Sequence, residues 1–168
     1  MLLHSKTGRL AVVLCAASFV PVLSAGGEAP SRAATILITG PAALDVSVAV
    51  YHAVLRLREP RCQEVLDDFR DAKGRPLRES LGGSTPEGYL ERLVIRNGEK
   101  SGHCASGDTA AFTTSGVVVF VCGTTFRRIP PNARANALIH EMLHTLGLRE
   151  NPPTSTEIPR RVQARCGW

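Results

Sequence analysis

The feature that most restricts this chain is a helix written with both of its ends. Pro130, Pro131 and Asn132 close a loop, Asn132 is a good N-cap, the run from Ala133 to Leu146 holds no breaker, and Gly147 offers a left-handed stop. Within it Ile139, Met142, Leu143 and Leu146 recur at i, i+3, i+4 and i+7 and predict a core-facing stripe. His140 and His144 lie four residues apart, so both imidazoles project from one side and can reach a single metal ion. Glu141 projects from an adjacent part of the helix, placed to take a proton from a water without ligating the metal. Nitrogen ligands at this spacing predict Zn2+. On the histidine side, Ala133 and Ala137 are small enough to let another backbone pass close to the metal.

The other end of the chain predicts its destination. A cationic start (His4, Lys6, Arg9) precedes an apolar run from Leu10 to Leu23, interrupted by Pro21 and too short to cross a bilayer. Residues 1–25 therefore read as a secretory signal peptide, with Cys15 leaving as part of it, and no stable membrane anchor is expected. Its loss takes two cations and no acid, lowering the formal charge from +5 to +3. Without a basic run carrying interleaved aromatics, nucleic-acid binding is not indicated. Four cysteines remain, Cys62, Cys104, Cys122 and Cys166, an even number that predicts two disulfides in an exported, secreted or periplasmic protein. Three pairings exist; we favour Cys104 with Cys122, across a predicted hairpin, and Cys62 with Cys166.

Residues 26–40 read as an N-terminal spacer and 41–168 as one domain. Leu44, Val48, Tyr51 and Leu55 mark a first long helix over 42–58, and Val65, Leu66 and Phe69 a second over 62–70. Thr85 and Pro86 start a short helix through Leu93. Residues 101–108 form a polar loop carrying His103 and Cys104. Ala110–Thr114 and Val117–Cys122 predict a hairpin through Ser115 and Gly116, its second strand apolar on both faces and so buried. A last helix spans about 155–165, with Thr154 and Glu157 spaced as a capping box. Asp67, Asp68 and Asp71, beside Arg70, read as a solvated face.

The stretch His140 to Glu150, HEMLHTLGLRE, resembles the zincin metallopeptidases and, within them, the metzincin pattern HExxHxxGxxH, with Gly147 at the glycine and Glu150 where a third histidine would stand. It is also similar to a stretch near the end of bacterial secreted proteins. The metzincin methionine turn has no counterpart, because no Met follows Met142. The resemblance implies a small zincin-like α+β domain with an active-site helix, a few-stranded sheet or hairpin and further helices. It also implies an extended substrate lying along the hairpin edge near Ala110 to Thr114. For the third ligand it implies Glu150, as in metzincins, or Glu157, as in gluzincins, where a second helix supplies a glutamate; His103 and His52 are further alternatives. Tyr51, Tyr89 and His103 are weaker candidates for binding an oxyanion.

The function expected is that of a secreted, monomeric, zinc-dependent metallopeptidase acting on a peptide or protein substrate. Two alternatives stay open: an exported zinc-binding protein without activity, and a zinc amidase acting on cell-wall peptides.

Overall fold

A computed structural model describes residues 34–114 and 116–167. The expected signal peptide and residues 26–33 of the spacer lie outside the described residues. The rest of that spacer does not behave as one: Thr35–Leu37 form the first strand, β1. After it come α1 (Ala42–Arg58), α2 (Pro60–Gln63), α3 (Val65–Asp68), a 3-10 turn (Leu77–Leu81), α4 (Pro86–Leu90) and β2 (Val94–Asn97). The second half runs α5 (Gly102–Ala105), β3 (Ala111–Thr113), β4 (Val118–Val121), α6 (Gly123–Arg128), α7 (Pro131–Thr145) and α8 (Glu157–Cys166).

The sheet has four strands in the order β1-β2-β4-β3. β1, β2 and β4 are parallel, and β3 runs antiparallel to β4 at the edge, with Phe112 opposite Phe120. A parallel neighbour requires a crossover, which the segment from α1 to α4 supplies between β1 and β2. The expected hairpin is therefore present, but as the end of a larger sheet. Its second strand is not buried on both faces: Val119 and Val121 are enclosed, whereas Val118 and Phe120 face the half-open side.

One face of the sheet, carrying Ile95, Val119 and Val121, belongs to the same core as Val46, Ala53 and Leu57 of α1 and Leu138, Ile139 and Met142 of α7. The stripe that identifies α1 in the sequence points the wrong way. Leu44 is 73% and Tyr51 61% exposed, and Val48 is exposed too. The true contact face is Val46, Ala49, Val50, Ala53 and Val54, whose small side chains let α1 pack closely. Two arginines fix that packing. Buried Arg56 donates to the Asn132 carbonyl (2.8 Å) and to Asn136 Oδ1 (2.6 Å), and Arg134 pairs with Asp45. Burial lowers the Arg56 pKa below its ordinary value.

The expected helix over 62–70 is broken into α2 and α3 and ends before Phe69, whose backbone is extended. Of its acids, Asp67 stays on a solvated face, paired with Arg78, whereas Asp68 and Asp71 are largely covered and pair with Arg165 and Arg75. The polar loop contains the single turn α5, capped by Ser101, whose hydroxyl accepts from the His103 N–H. α4 stops at Leu90, and Leu93 is followed at once by β2. Both favoured disulfides are present: Cys62–Cys166 joins α2 to the end of α8, and Cys104–Cys122 joins α5 to the end of β4. Among the described residues no helix is long and apolar enough to cross a membrane.

Candidate metal centre

The central helix α7 begins two residues earlier than its sequence predicts. Pro130 is the N-cap, Pro131 takes the first helical position, where its missing N–H costs nothing, and Asn132 instead accepts from the neighbouring Ala133 N–H. The other end is as expected. Gly147 has φ 105°, its N–H donates to the His144 carbonyl, and the Leu148 N–H donates back to the Leu143 carbonyl, the double bond of a Schellman stop. Leu143 and Leu148 are both buried against it.

This stop orients His144. It brings the Leu148 carbonyl to 3.0 Å from His144 Nδ1. A carbonyl only accepts, so Nδ1 carries the proton and Nε2 keeps its lone pair for a metal. Nε2 of His140 lies 2.9 Å from that nitrogen. Burial, and then the neighbouring His144, hold the His140 pKa down to about 4, so this imidazole is neutral at physiological pH, the form a metal requires.

Past the stop, the chain returns to the histidines. Glu150 Oε1 lies 3.7 Å from His144 Nε2, and the ligand atoms of His140, His144 and Glu150 all fall within 4.8 Å of one another. The return is supported from outside α7. Asp71 forms an isolated bridge with Leu148, its carboxylate meanwhile accepting from the Lys73 and Arg75 N–H groups. Beyond it Asn151 takes φ 64°, a conformation asparagine tolerates better than most residues, and donates its N–H to the Pro153 carbonyl (2.7 Å). Glu157 is elsewhere: its N–H donates to the Thr154 hydroxyl, but α8 is capped at Thr156 and the Glu157 carboxylate pairs with Arg161, so only half of the expected capping box forms.

Two imidazole nitrogens and a carboxylate oxygen are a fitting donor set for zinc. Bonds of about 2.0–2.1 Å at a tetrahedral centre would set the two nitrogens about 3.3 Å apart, so their present spacing needs to open by only a few tenths of an ångström. Among the described residues no fourth histidine, cysteine, aspartate or glutamate joins the group. No family model, curated protein or solved structure matches this chain.

Beside the ligands sits Glu141, only 7% exposed. Its carboxyl is pushed up to about 7 by burial and then by the charge of Glu150, while the Thr113 N–H, turned towards it from β3, favours the charged form. Sequence reasoning expects a backbone passing close over the small side chains of α7; the structure has an open cleft over them. Ala133 and Ala137, together with β3, line a cleft of about 1010 Å³ that also contains His140, Glu141, His144 and Glu150. It missed which groups would matter there, because the Thr113 N–H and the Leu148 carbonyl belong to the backbone and have no side-chain signature. On the far side the cleft is bounded by Asn136 and Gln163, hydrogen-bonded to each other (2.5 Å).

The weaker candidates separate cleanly. His103 lines the cleft. Tyr51 and His52 stand exposed on α1, and Tyr89 is buried with its hydroxyl donating to the Thr145 carbonyl (3.3 Å).

Proposed function

We propose that this protein is an exported zinc metallopeptidase. The observation that carries the reading is that, among the described residues, three ligating groups and not four converge next to a buried carboxyl that pairs with none of them. A purely structural zinc site closes its fourth position with protein and needs no such acid. The edge strand beside it gives an extended peptide somewhere to lie.

Bound there, zinc supplies a Lewis acid that polarises a carbonyl and makes water a nucleophile near neutral pH. His140, His144 and Glu150 hold the ion, and Leu148 keeps the Nε2 face of His144 turned towards it. Glu141, poised by burial near neutrality, accepts the proton of the attacking water and later delivers it to the departing amine. The Thr113 N–H favours the carboxylate, the form Glu141 holds before the first transfer and regains after the second.

The test is zinc content together with hydrolysis of a quenched peptide library, on the purified protein and its Glu141→Gln variant. The expected result is one zinc per chain in both proteins and a loss of about 10²–10⁴-fold in turnover in the variant alone. Zinc without turnover in either protein would favour an inactive zinc-binding protein. Cleavage restricted to cell-wall peptides would favour the amidase. Absence of zinc would sink the site itself.

A further inference from the structure

The edge strand β3 has two faces and both are open to a ligand. Cys122 donates its N–H to the Ala110 carbonyl, so Ala110–Cys122 and, two residues on, Phe112–Phe120 are the hydrogen-bonded pairs of the ladder. Ala111 and Thr113 consequently turn their backbone groups outward, away from β4. The Thr113 N–H is directed to Glu141, leaving the Thr113 carbonyl and both groups of Ala111 facing an incoming chain.

A peptide paired to these groups extends the sheet, so its side chains must alternate between the two faces. One set falls on the α7 side, into the cleft with the metal ligands. The other falls on the opposite side of β3, where the surface is aromatic. The Phe112 ring stacks on Phe120 (5.1 Å between centroids) and on His103 (4.6 Å). These three rings line a separate hollow of about 420 Å³, and His103 and Phe112 line the metal-site cleft as well. The hollow continues the cleft over the rim of the strand.

Its wall is built rather than incidental. Gly98 backs the rings so closely that a Cβ there would meet Phe112 at 2.8 Å and Phe120 at 3.1 Å. His103 is fixed from both sides, by the Ser101 cap and by the disulfide of its neighbour Cys104 to Cys122 at the end of β4. Phe112 and Phe120 contribute little to the core and remain half-exposed, an arrangement that only a ligand would complete.

We infer that the hollow formed by Phe112, His103 and Phe120 is a second side-chain subsite, which selects an aromatic or large apolar residue of an extended peptide at a position next to one that faces the metal ligands. This rests on the reading of the cleft as a peptide site, though not on hydrolysis. Aromatic rings offset on Phe112 would replace water at the exposed edge of the stack. The alternation sets the place: the preference falls on one position of the peptide, whose two neighbours turn to the metal-ligand side.

Binding is measured on the zinc-loaded Glu141→Gln protein, which cannot consume its ligand, with labelled hexapeptides of alanine and glycine carrying a single Phe, Leu, Asp or Ala at each position. The expected result is an advantage of about tenfold for Phe over Ala at one position and none at the positions adjacent to it. That advantage should fall to within about twofold when Phe112→Leu or His103→Ala is added, with zinc content and melting temperature retained. The His103 side chain is exposed, so its variant decides the matter if Phe112→Leu does not fold. Equal affinity for Phe and Ala everywhere, an advantage untouched by both variants, or no peptide bound at all would overturn the subsite. Cleavage by the Glu141 protein is scored separately. Peptides bound through Phe112 but left uncut would sink the peptidase reading alone, and peptides cut without any Phe112-dependent preference would sink the subsite alone.

Discussion

His140 and His144 belong to one helix, whereas Glu150 belongs to a loop, and the two halves of the site are held by different physics. The helical pair is spaced by the pitch of α7 itself, and the buried leucines, isoleucine and methionine of its other face fix the rotation of the whole element. Glu150 owes its position to a left-handed glycine, a bridge from Asp71 nearly eighty residues earlier, and the turn at Asn151. Helical ligands are therefore local consequences of sequence, and the third is a tertiary one.

The sharpest way to break this comparison is to remove a ligand from each half. His144→Ala should weaken zinc binding by at least about 10³-fold, measured with a competing chelator, because it removes the nitrogen held in place by Leu148. Glu150→Ala should cost about 10–100-fold, since the loop can yield to water as a substitute ligand. Glu157→Ala is the control; it should leave zinc affinity unchanged and lower stability by no more than about 1 kcal/mol, the value of an exposed ion pair. Equal losses from Glu150→Ala and Glu157→Ala would end the distinction between them.

Protonation offers a second contrast, within α7 alone. In the metal-free protein the folded Glu141 keeps its proton to about pH 7, against 4.5 ordinarily, so its contribution to stability falls as the pH rises through that window. Folded His140 stays neutral down to about pH 4, against 6.5 ordinarily, so its contribution falls as the pH drops. The two slopes oppose each other where they overlap. Glu141→Gln removes one of them, and the metal-free variant should gain on the parent by up to about 1.4 kcal/mol per pH unit as the pH rises from 4.5 to 7. Parallel denaturation curves at pH 5 and pH 7 would contradict the burial assigned to Glu141. A small effect is expected at the junction of the two halves: Gly147→Ala, forced to φ 105°, should cost about 1 kcal/mol of stability while shifting zinc affinity only severalfold.

How much the sequence disclosed follows the same division. The histidine helix, its glycine stop and the hairpin are each specified by residues within a few positions of one another, and each is found. β1 and β2 are not legible because strands of three and four residues take their identity from partners far along the chain, Thr35 from Val94 and Val94 from Val118. The inward face of α1 was misjudged for a related reason. Alanine and valine surround that helix on most sides, and only the approach of α7 selects Ala49 and Ala53 over Leu44 and Tyr51. The choice of Glu150 over Glu157 likewise lies outside any local pattern. Both acids follow the histidines at workable distances, and it is Arg161 that occupies the carboxylate of one and leaves the other to the site.

The bond between Cys62 and Cys166 spans 104 positions, so nearly the whole of the cleft is carried on a closed covalent ring. A single cut in any loop of that ring nicks the molecule without releasing a fragment, and the two pieces stay beside each other at high effective concentration. The cleft thereby outlasts a cut in its own chain, until a reductant opens the ring.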